Sequence, residues 1–224
     1  MKLVFLSDIH SNMKALEAVL GAEADADAIY CAGDLVDVGF CPKEVVTLIR
    51  ERQIPCVQGN HDRKIIKKFR EGLDPEKPPE NWVELNAQLL EEEDICYLEN
   101  LPERITFSHD GISWMMTHMY QGYEVITSDY VFDEFWGESP VDEQSPIRAM
   151  VMGHTHWQGQ MWVGNDAFWL NPGSVGYNRP VDPSIATRYA TVIDGKVKFH
   201  QLEHPHCQHR KAKQQEFRDR FGVK

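Results

Sequence analysis

The sequence predicts an α/β fold, and three observations carry that prediction. Short apolar runs at residues 3–6, 28–31 and 55–58 alternate with stretches of helical periodicity. Each run leads into small residues followed by Asp8, Asp34 or Asn60, and the second half changes to closely spaced strands. The run at 3–6 lacks polar alternation, the mark of a strand covered on both faces. Asn12 is placed to cap the following helix, in which Leu16, Val19 and Leu20 share one face. Residues 28–31 form a second strand, and 42–50 a helix with proline in its first turn, where the missing N–H has no helical acceptor to lose. A third strand at 55–58 completes a strand–helix–strand–helix–strand series. Open α/β sheets collect ligands beyond the carboxyl ends of their strands, so the three polar endings are expected to converge.

Residues 72–81 hold three prolines and read as an exposed loop, and 82–93 read as an amphipathic helix on Trp82, Leu85, Leu89 and Leu90. Together they belong to a helical insertion over the core, about 72–101. Strands at 104–107 and 112–117 flank Asp110-Gly111, a hairpin signal. Further strands follow at 149–152, 160–163, 167–170, 189–193 and 196–202, with Asp194-Gly195 as a second tight turn. Phe217 and Phe221, four apart in a polar segment, predict a terminal helix. The organisation is a single domain over 1–204 and a helical tail over 205–224.

At 224 residues the chain suits one large domain, and its 42% hydrophobic and 26% charged content is globular. The net charge of −12 argues against stable nucleic-acid or membrane-surface binding, both of which need a broad basic face. Cys31, Cys41, Cys56, Cys96 and Cys207 form no C-x-x-C pair and leave one over, which suits a reducing compartment. With no apolar signal core after Met1 and no run of membrane-spanning length, the cytoplasm is the expected location. Oligomeric state is left open.

The chemistry lies in an ordered series: Asp8-Ile9-His10, Gly33-Asp34, Gly59-Asn60-His61-Asp62, His118 and Gly153-His154-Thr155-His156. Carboxylate, imidazole and amide ligands of this mixture suit manganese, iron, zinc or nickel. The series resembles that of the calcineurin-like metallophosphoesterases, and the resemblance covers roughly residues 2–194. It implies a four-layer α/β/β/α sandwich with two mixed β-sheets and a site of two divalent metal ions. Manganese is the expected metal, with iron, zinc, nickel or magnesium as alternatives. Carried over, Asp8, His10, Asp34 and His156 hold one ion and Asp34, Asn60, His118 and His154 the other. Two dications a few ångströms apart need an anionic bridge, which Asp34 supplies together with a hydroxide that attacks phosphorus in line.

His61 resembles the family histidine that protonates the leaving group. In the protein-phosphatase branch an aspartate three residues after the bridging one orients it, and here Asp37 stands there. That branch then has a phosphate-binding arginine, where this chain has Val38, which counts against protein-phosphatase activity. Asn171-Pro172-Gly173-Ser174-Val175-Gly176, with Arg179 and Asp182-Pro183, is similar to the prokaryotic phosphodiesterase or diadenosine-tetraphosphatase-like branch. Arg179 either clamps a phosphate oxygen or forms a surface salt bridge. Asp62 reads as the N-cap of a helix running to Phe69, and His109 as a turn residue. The His204, His206, Cys207 and His209 cluster has metal-like composition but lies in a polar tail. Phe40, Tyr120, Tyr123 and Trp157 read as core or rim aromatics rather than base-stacking platforms.

The expected function is hydrolysis of a phosphodiester or nucleotide phosphoanhydride, with a small phosphorylated or nucleotide substrate. The alternatives are a phosphomonoesterase acting on a metabolite or phosphoprotein, and a catalytically inert scaffold.

Overall fold

The computed structural model describes residues 1–74, 76–120, 122, 124–141, 146–182 and 184–223. The first half runs β1 (Lys2–Leu6), α1 (Met13–Ala22), β2 (Ala28–Cys31), α2 (Pro42–Glu51), α3 (Asn60–Glu71), α4 (Trp82–Leu89) and α5 (Glu92–Glu99). The second runs β3 (Arg104–His109), β4 (Ile112–Thr117), α6 (Asp129–Trp136), β5 (Ile147–Val151), β6 (Gln158–Trp162), β7 (Ala167–Pro172), β8 (Thr187–Ile193), β9 (Lys196–Leu202) and α7 (Arg210–Phe221). One sheet has strand order β2-β1-β8-β9 and the other β3-β4-β5-β7-β6. Both are mixed: β1 pairs in parallel with β2 and antiparallel with β8, and β4 pairs antiparallel with β3 and in parallel with β5.

Three apolar clusters define the layers. Phe5, Trp114, Met116, Val151, Phe168 and Val192 fill the space between the two sheets. Leu16, Val19, Val46, Ile49, Ile65 and Ile95 fasten helices to the outer face of the first sheet. Phe132, Phe135 and Trp136 of α6 cover Met115 and Met150 on the outer face of the second. The result is the four-layer α/β/β/α sandwich that the resemblance implies.

Local chemistry explains the element boundaries. The Asn12 side chain accepts the Ala15 amide at 3.2 Å and starts α1. Asp110 and Gly111 have φ of 50° and 70°, and Asp194 and Gly195 of 49° and 71°. Paired positive φ values of this kind match the twist of the flanking strands.

Four differences from the sequence expectation have local causes. Residues 55–58 make only a single bridge, Cys31 opposite Cys56, because the Gln58 amide leaves the sheet for the Pro102 carbonyl at 2.8 Å. The helix predicted at 82–93 is two helices: Leu90 turns extended (φ −88°, ψ 149°) to bury its side chain, and Asp94 accepts the Glu91 amide at 3.1 Å to start the second. Helix α6, not foreseen, begins where Ser128 accepts the Val131 amide at 3.2 Å. Asp62 is not the N-cap of α3; Gly59 holds that position and Asp62 lies one turn in. Among the described residues no helix is long and apolar enough to cross a membrane.

Helix α7 docks through Phe217, which is fully buried 4.7 Å from the Trp82 ring and shares a cluster with Val38, Leu85 and Tyr177. Replacing Phe217 with alanine is expected to lower stability by about 3 kcal/mol, the usual cost of emptying a buried phenylalanine site. Urea denaturation measures this; a loss below about 1 kcal/mol would mean that the tail is not packed as described.

Candidate metal centre

The residues predicted to bind metal come from both sheets. Asp8 and His10 follow β1, Asp34 follows β2, and Asn60 begins α3, whereas His118 follows β4 and His154 and His156 follow β5. The structure brings them together. His156 Nε2 lies 3.2 Å from Asp8 Oδ1 and 3.2 Å from His10 Nε2. His10 Nε2 lies 3.7 Å from Asp8 Oδ1 and 3.8 Å from Asp34 Oδ2. On the other side of Asp34, Oδ2 is 3.2 Å from His118 Nε2, and Asn60 Oδ1 is 3.1 Å from His118 Nε2 and 2.9 Å from His154 Nδ1.

Each carboxylate has one oxygen anchored and one left over. Asp8 Oδ2 accepts from the Ser7 hydroxyl at 2.6 Å and the His154 amide at 3.1 Å, and Asp34 Oδ1 accepts the His61 amide at 2.8 Å. Among the described residues Asp8 Oδ1 and Asp34 Oδ2 are buried without a hydrogen-bond donor. Facing these oxygens are imidazole lone pairs. The His118 Nδ1–H is fixed on the Ala32 carbonyl at 2.6 Å and that of His156 on the Tyr177 carbonyl at 3.2 Å, so the Nε2 lone pair of each ring turns inward. Unpaired buried anions opposite lone pairs are costly unless a cation sits among them, so this donor set fits metal ions.

The electrostatics agree. Burial holds His10 neutral, down to about 4, and burial together with the nearby His118 lowers His154. Burial also opposes charge on His118, but the Asp34 and Asp8 carboxylates outweigh it and push the ring up to about 10. Asp8 is held well below the ordinary carboxylate value although burial works the other way, because His156 and His10 face it. The pocket therefore favours a positive charge between its carboxylates.

The backbone pays for this convergence locally. Asp8, His10, Asp34, His154 and His156 have φ between 49° and 70°, in the left-handed region. Short polar side chains tolerate that region better than branched ones. Two glycines allow close approach: a Cβ on Gly59 would strike the Asp34 carboxylate, and one on Gly153 the Ser7 hydroxyl beside Asp8.

His61 stands at the edge of this cluster with Nδ1 2.5 Å from Asp37 Oδ2, which leaves Nε2 directed away from Asp37. Burial works against a charged His61, yet Asp37 and Asp34 raise it above the ordinary histidine value. Arg179 forms no salt bridge among the described residues; its Nη2 donates to the His154 carbonyl at 2.8 Å. Phe40 packs on Trp82, Tyr120 on Phe135, and Trp157 is 42% exposed beneath Arg188, while Tyr123 lies outside the described residues. In the tail, His204 Nε2 is taken by Thr187 Oγ1 at 2.7 Å and Cys207 Sγ by the Leu202 carbonyl at 3.4 Å.

Two supporting residues escape sequence reasoning. Asp62, read there as a helix cap in preference to a support for the neighbouring ligands, accepts the amides of Gly59 at 2.8 Å, Asp34 at 3.1 Å and Val36 at 3.1 Å, joining the helix start to the Asp34 loop. Asn86 of α4 is fully buried; its Oδ1 accepts the Ser11 hydroxyl at 2.6 Å and the Asp37 amide at 2.9 Å. Its Nδ2 donates to the Gly39 and Trp82 carbonyls, each at 3.0 Å. The signal for Asp62 was its place three residues after Gly59; Asn86 has none, since a lone asparagine in a distant helix belongs to no motif.

Comparison with known proteins places this geometry in context. Residues 1–192 match the model of the calcineurin-like phosphoesterase superfamily domain. An uncharacterized protein of Methanocaldococcus jannaschii is 30% identical over 199 residues, 79% of this chain and 77% of its own length. The crystal structure of a metallophosphoesterase from Sphaerobacter thermophilus is 28% identical and superposes with a TM-score of 0.73, covering 100% of this chain and 95% of that one. An archaeal phosphodiesterase, 15% identical with a TM-score of 0.52 over 90% of this chain and 100% of its own, shares the fold.

Asn86→Ala strands the Ser11 hydroxyl, the Asp37 amide and the Gly39 carbonyl, and a loss of about 3 kcal/mol is expected from such unpaired buried groups. Denaturation and metal analysis, run beside a turnover assay, test this. Metal content is expected to stay and turnover to fall; full turnover would remove Asn86 from the support of Asp37.

Proposed function

The chain belongs to the calcineurin-like phosphoesterase superfamily and is a phosphoester hydrolase, and from that premise we propose that it cleaves a phosphodiester or a nucleotide-type phosphoanhydride with two divalent cations. The observation that carries this reading is the unpaired Asp34 Oδ2, which faces His10 on one side and His118 on the other. Asp8, His10, Asp34 and His156 hold one ion, and Asp34, Asn60, His118 and His154 the other. Manganese is the expected metal. When bound, the pair of ions supplies Lewis acidity and a water acidic enough to act as nucleophile near neutral pH.

The protein's own groups do the rest. His61, its Nδ1–H held by Asp37 and its charged form favoured there, donates a proton from Nε2 to the departing oxygen. Arg179, oriented through one Nη2 by the His154 carbonyl, offers its remaining N–H groups to a nonbridging phosphate oxygen. A monoester carries more negative charge than a diester, and among the predicted site residues Arg179 is the one arginine available to meet it. That supports the diester or anhydride over the monoester.

Asp34→Ala and His154→Ala are each expected to lose metal and hydrolysis together, read by metal analysis and by turnover of a bis-aryl phosphate with manganese. Full turnover in either variant would refute its ligand role. His61→Ala is expected to keep its metal and lose turnover by on the order of 10²-fold or more on a poor alkyl leaving group, and less on an activated aryl one. Equal losses on both substrates would exclude His61 as the proton donor. Faster hydrolysis of a mono-aryl than of a bis-aryl phosphate would favour the monoesterase.

A further inference from the structure

A separate cavity of about 150 Å³ lies where α1, α2 and α7 meet. Ser11 to Lys14, at the start of α1, line one wall, and Phe40 and Cys41, at the start of α2, line another. Each of these helices is 10 residues long, and a helix leaves its first amides without intrahelical acceptors. Asn12 occupies only the Ala15 amide in α1, which leaves those of Met13 and Lys14, whereas in α2 the Cys41 amide already donates to the Ser11 carbonyl at 3.2 Å and Pro42 has no N–H. The start of α1 therefore directs positive potential at this space.

The third wall comes from α7 and supplies a charge. Lys213 lines the cavity and is only 6% exposed, and among the described residues its ammonium has neither a hydrogen-bond acceptor nor an ion-pair partner. Such burial without a counter-ion is unusual for lysine, whose charge is expensive to strip of water. Burial pushes this amine down to about 8 despite Glu216 and Cys41 nearby. Other titratable groups on the cavity are Lys14, paired with Glu17 at 2.9 Å, His206 and Glu216, the last 3.5 Å from Gln208 Nε2.

We propose that this cavity is a second, non-catalytic site for a small tetrahedral oxyanion, with Lys213 as its buried counter-ion and the start of α1 as its amide donor. Its volume suits orthophosphate better than a whole nucleotide, although a nucleotide could present its phosphate to the same groups. An anion here would tie α7 to the segments that follow His10 and Asp37.

The test is calorimetric titration of orthophosphate into the metal-loaded full chain, with the readout being the class of sites that depends on Lys213. That readout is independent of phosphate bound at the metal centre. Lys213→Met keeps the buried stem and removes the charge; it is expected to weaken one phosphate site at least tenfold while hydrolysis in phosphate-free buffer is unchanged. Glu216→Gln, made at an accessible position in case the first variant folds poorly, removes the cavity's carboxylate and is expected to tighten the same site several-fold. Competition by a nucleoside 5′-monophosphate, lost in Lys213→Met, would assign an esterified phosphate; failure to compete would assign the free ion. The absence of any phosphate site that weakens in Lys213→Met, or affinity unchanged in both variants, overturns the proposal.

Discussion

Two buried carboxylates, each with one oxygen that accepts no hydrogen bond among the described residues, set the terms for the rest of this structure. Asp8 Oδ1 and Asp34 Oδ2 lie in a space enclosed by ring nitrogens whose protons are anchored elsewhere. Burying an unpaired ion costs several kcal/mol even after relaxation. The left-handed backbone at the ligand residues adds roughly 1–2 kcal/mol for each such residue. No protein would retain such an arrangement for stability alone. The arrangement makes physical sense as a receptor for positive charge, and its strain lies in the segments that would touch the ions.

The scaffold tolerates this because the strain is confined to loops between well-packed layers. Amides that the turns expose are taken up by specific acceptors: Asp62 gathers three, Asn86 holds the Asp37 amide, and the Asp8 carbonyl receives the Gly176 amide at 2.8 Å. The chain's net charge of −12 is no obstacle to an anionic substrate, since the field near the site is set by the nearest charges. His61 illustrates the point. Held by Asp37 and beside Asp34, it keeps a proton more readily than a free histidine would.

What the sequence revealed and what it hid follow from the range of each interaction. Asn12 capping α1, and the turns at Asp110-Gly111 and Asp194-Gly195, depend on residues a few positions apart, so their signals are local. The residues that cluster at the strand ends were legible through their chemistry, because few folds need Asp, Asn and His in that order after successive strands. The break at Leu90 was hidden, since it depends on a core surface that the helical periodicity of 82–93 does not contain. The strand expected at 55–58 failed for a similar reason: after its one bridge to Cys31 the Gln58 amide goes to Pro102, over forty residues away. Asn86 was the least visible, because all its meaning comes from Ser11, Asp37 and Gly39, which other parts of the chain bring to it.

The division of the clustered donor residues between the sheets gives the interior a second duty. Asp8, His10, Asp34 and Asn60 move with the first sheet, and His118, His154 and His156 with the second. Both donor clusters span that divide, so their size depends on the distance between the sheets. Phe5 of the first sheet meets Trp114 of the second across that gap with ring centroids 5.0 Å apart, and Phe168, 5.8 Å from Trp114 within the second sheet, holds Trp114 in place. Close-packed interiors transmit small changes in volume rather than absorbing them. Metal ligation needs donor positions accurate to a few tenths of an ångström. The aromatic core between the sheets is therefore as much a part of the cluster's geometry as the loops that carry its donor groups.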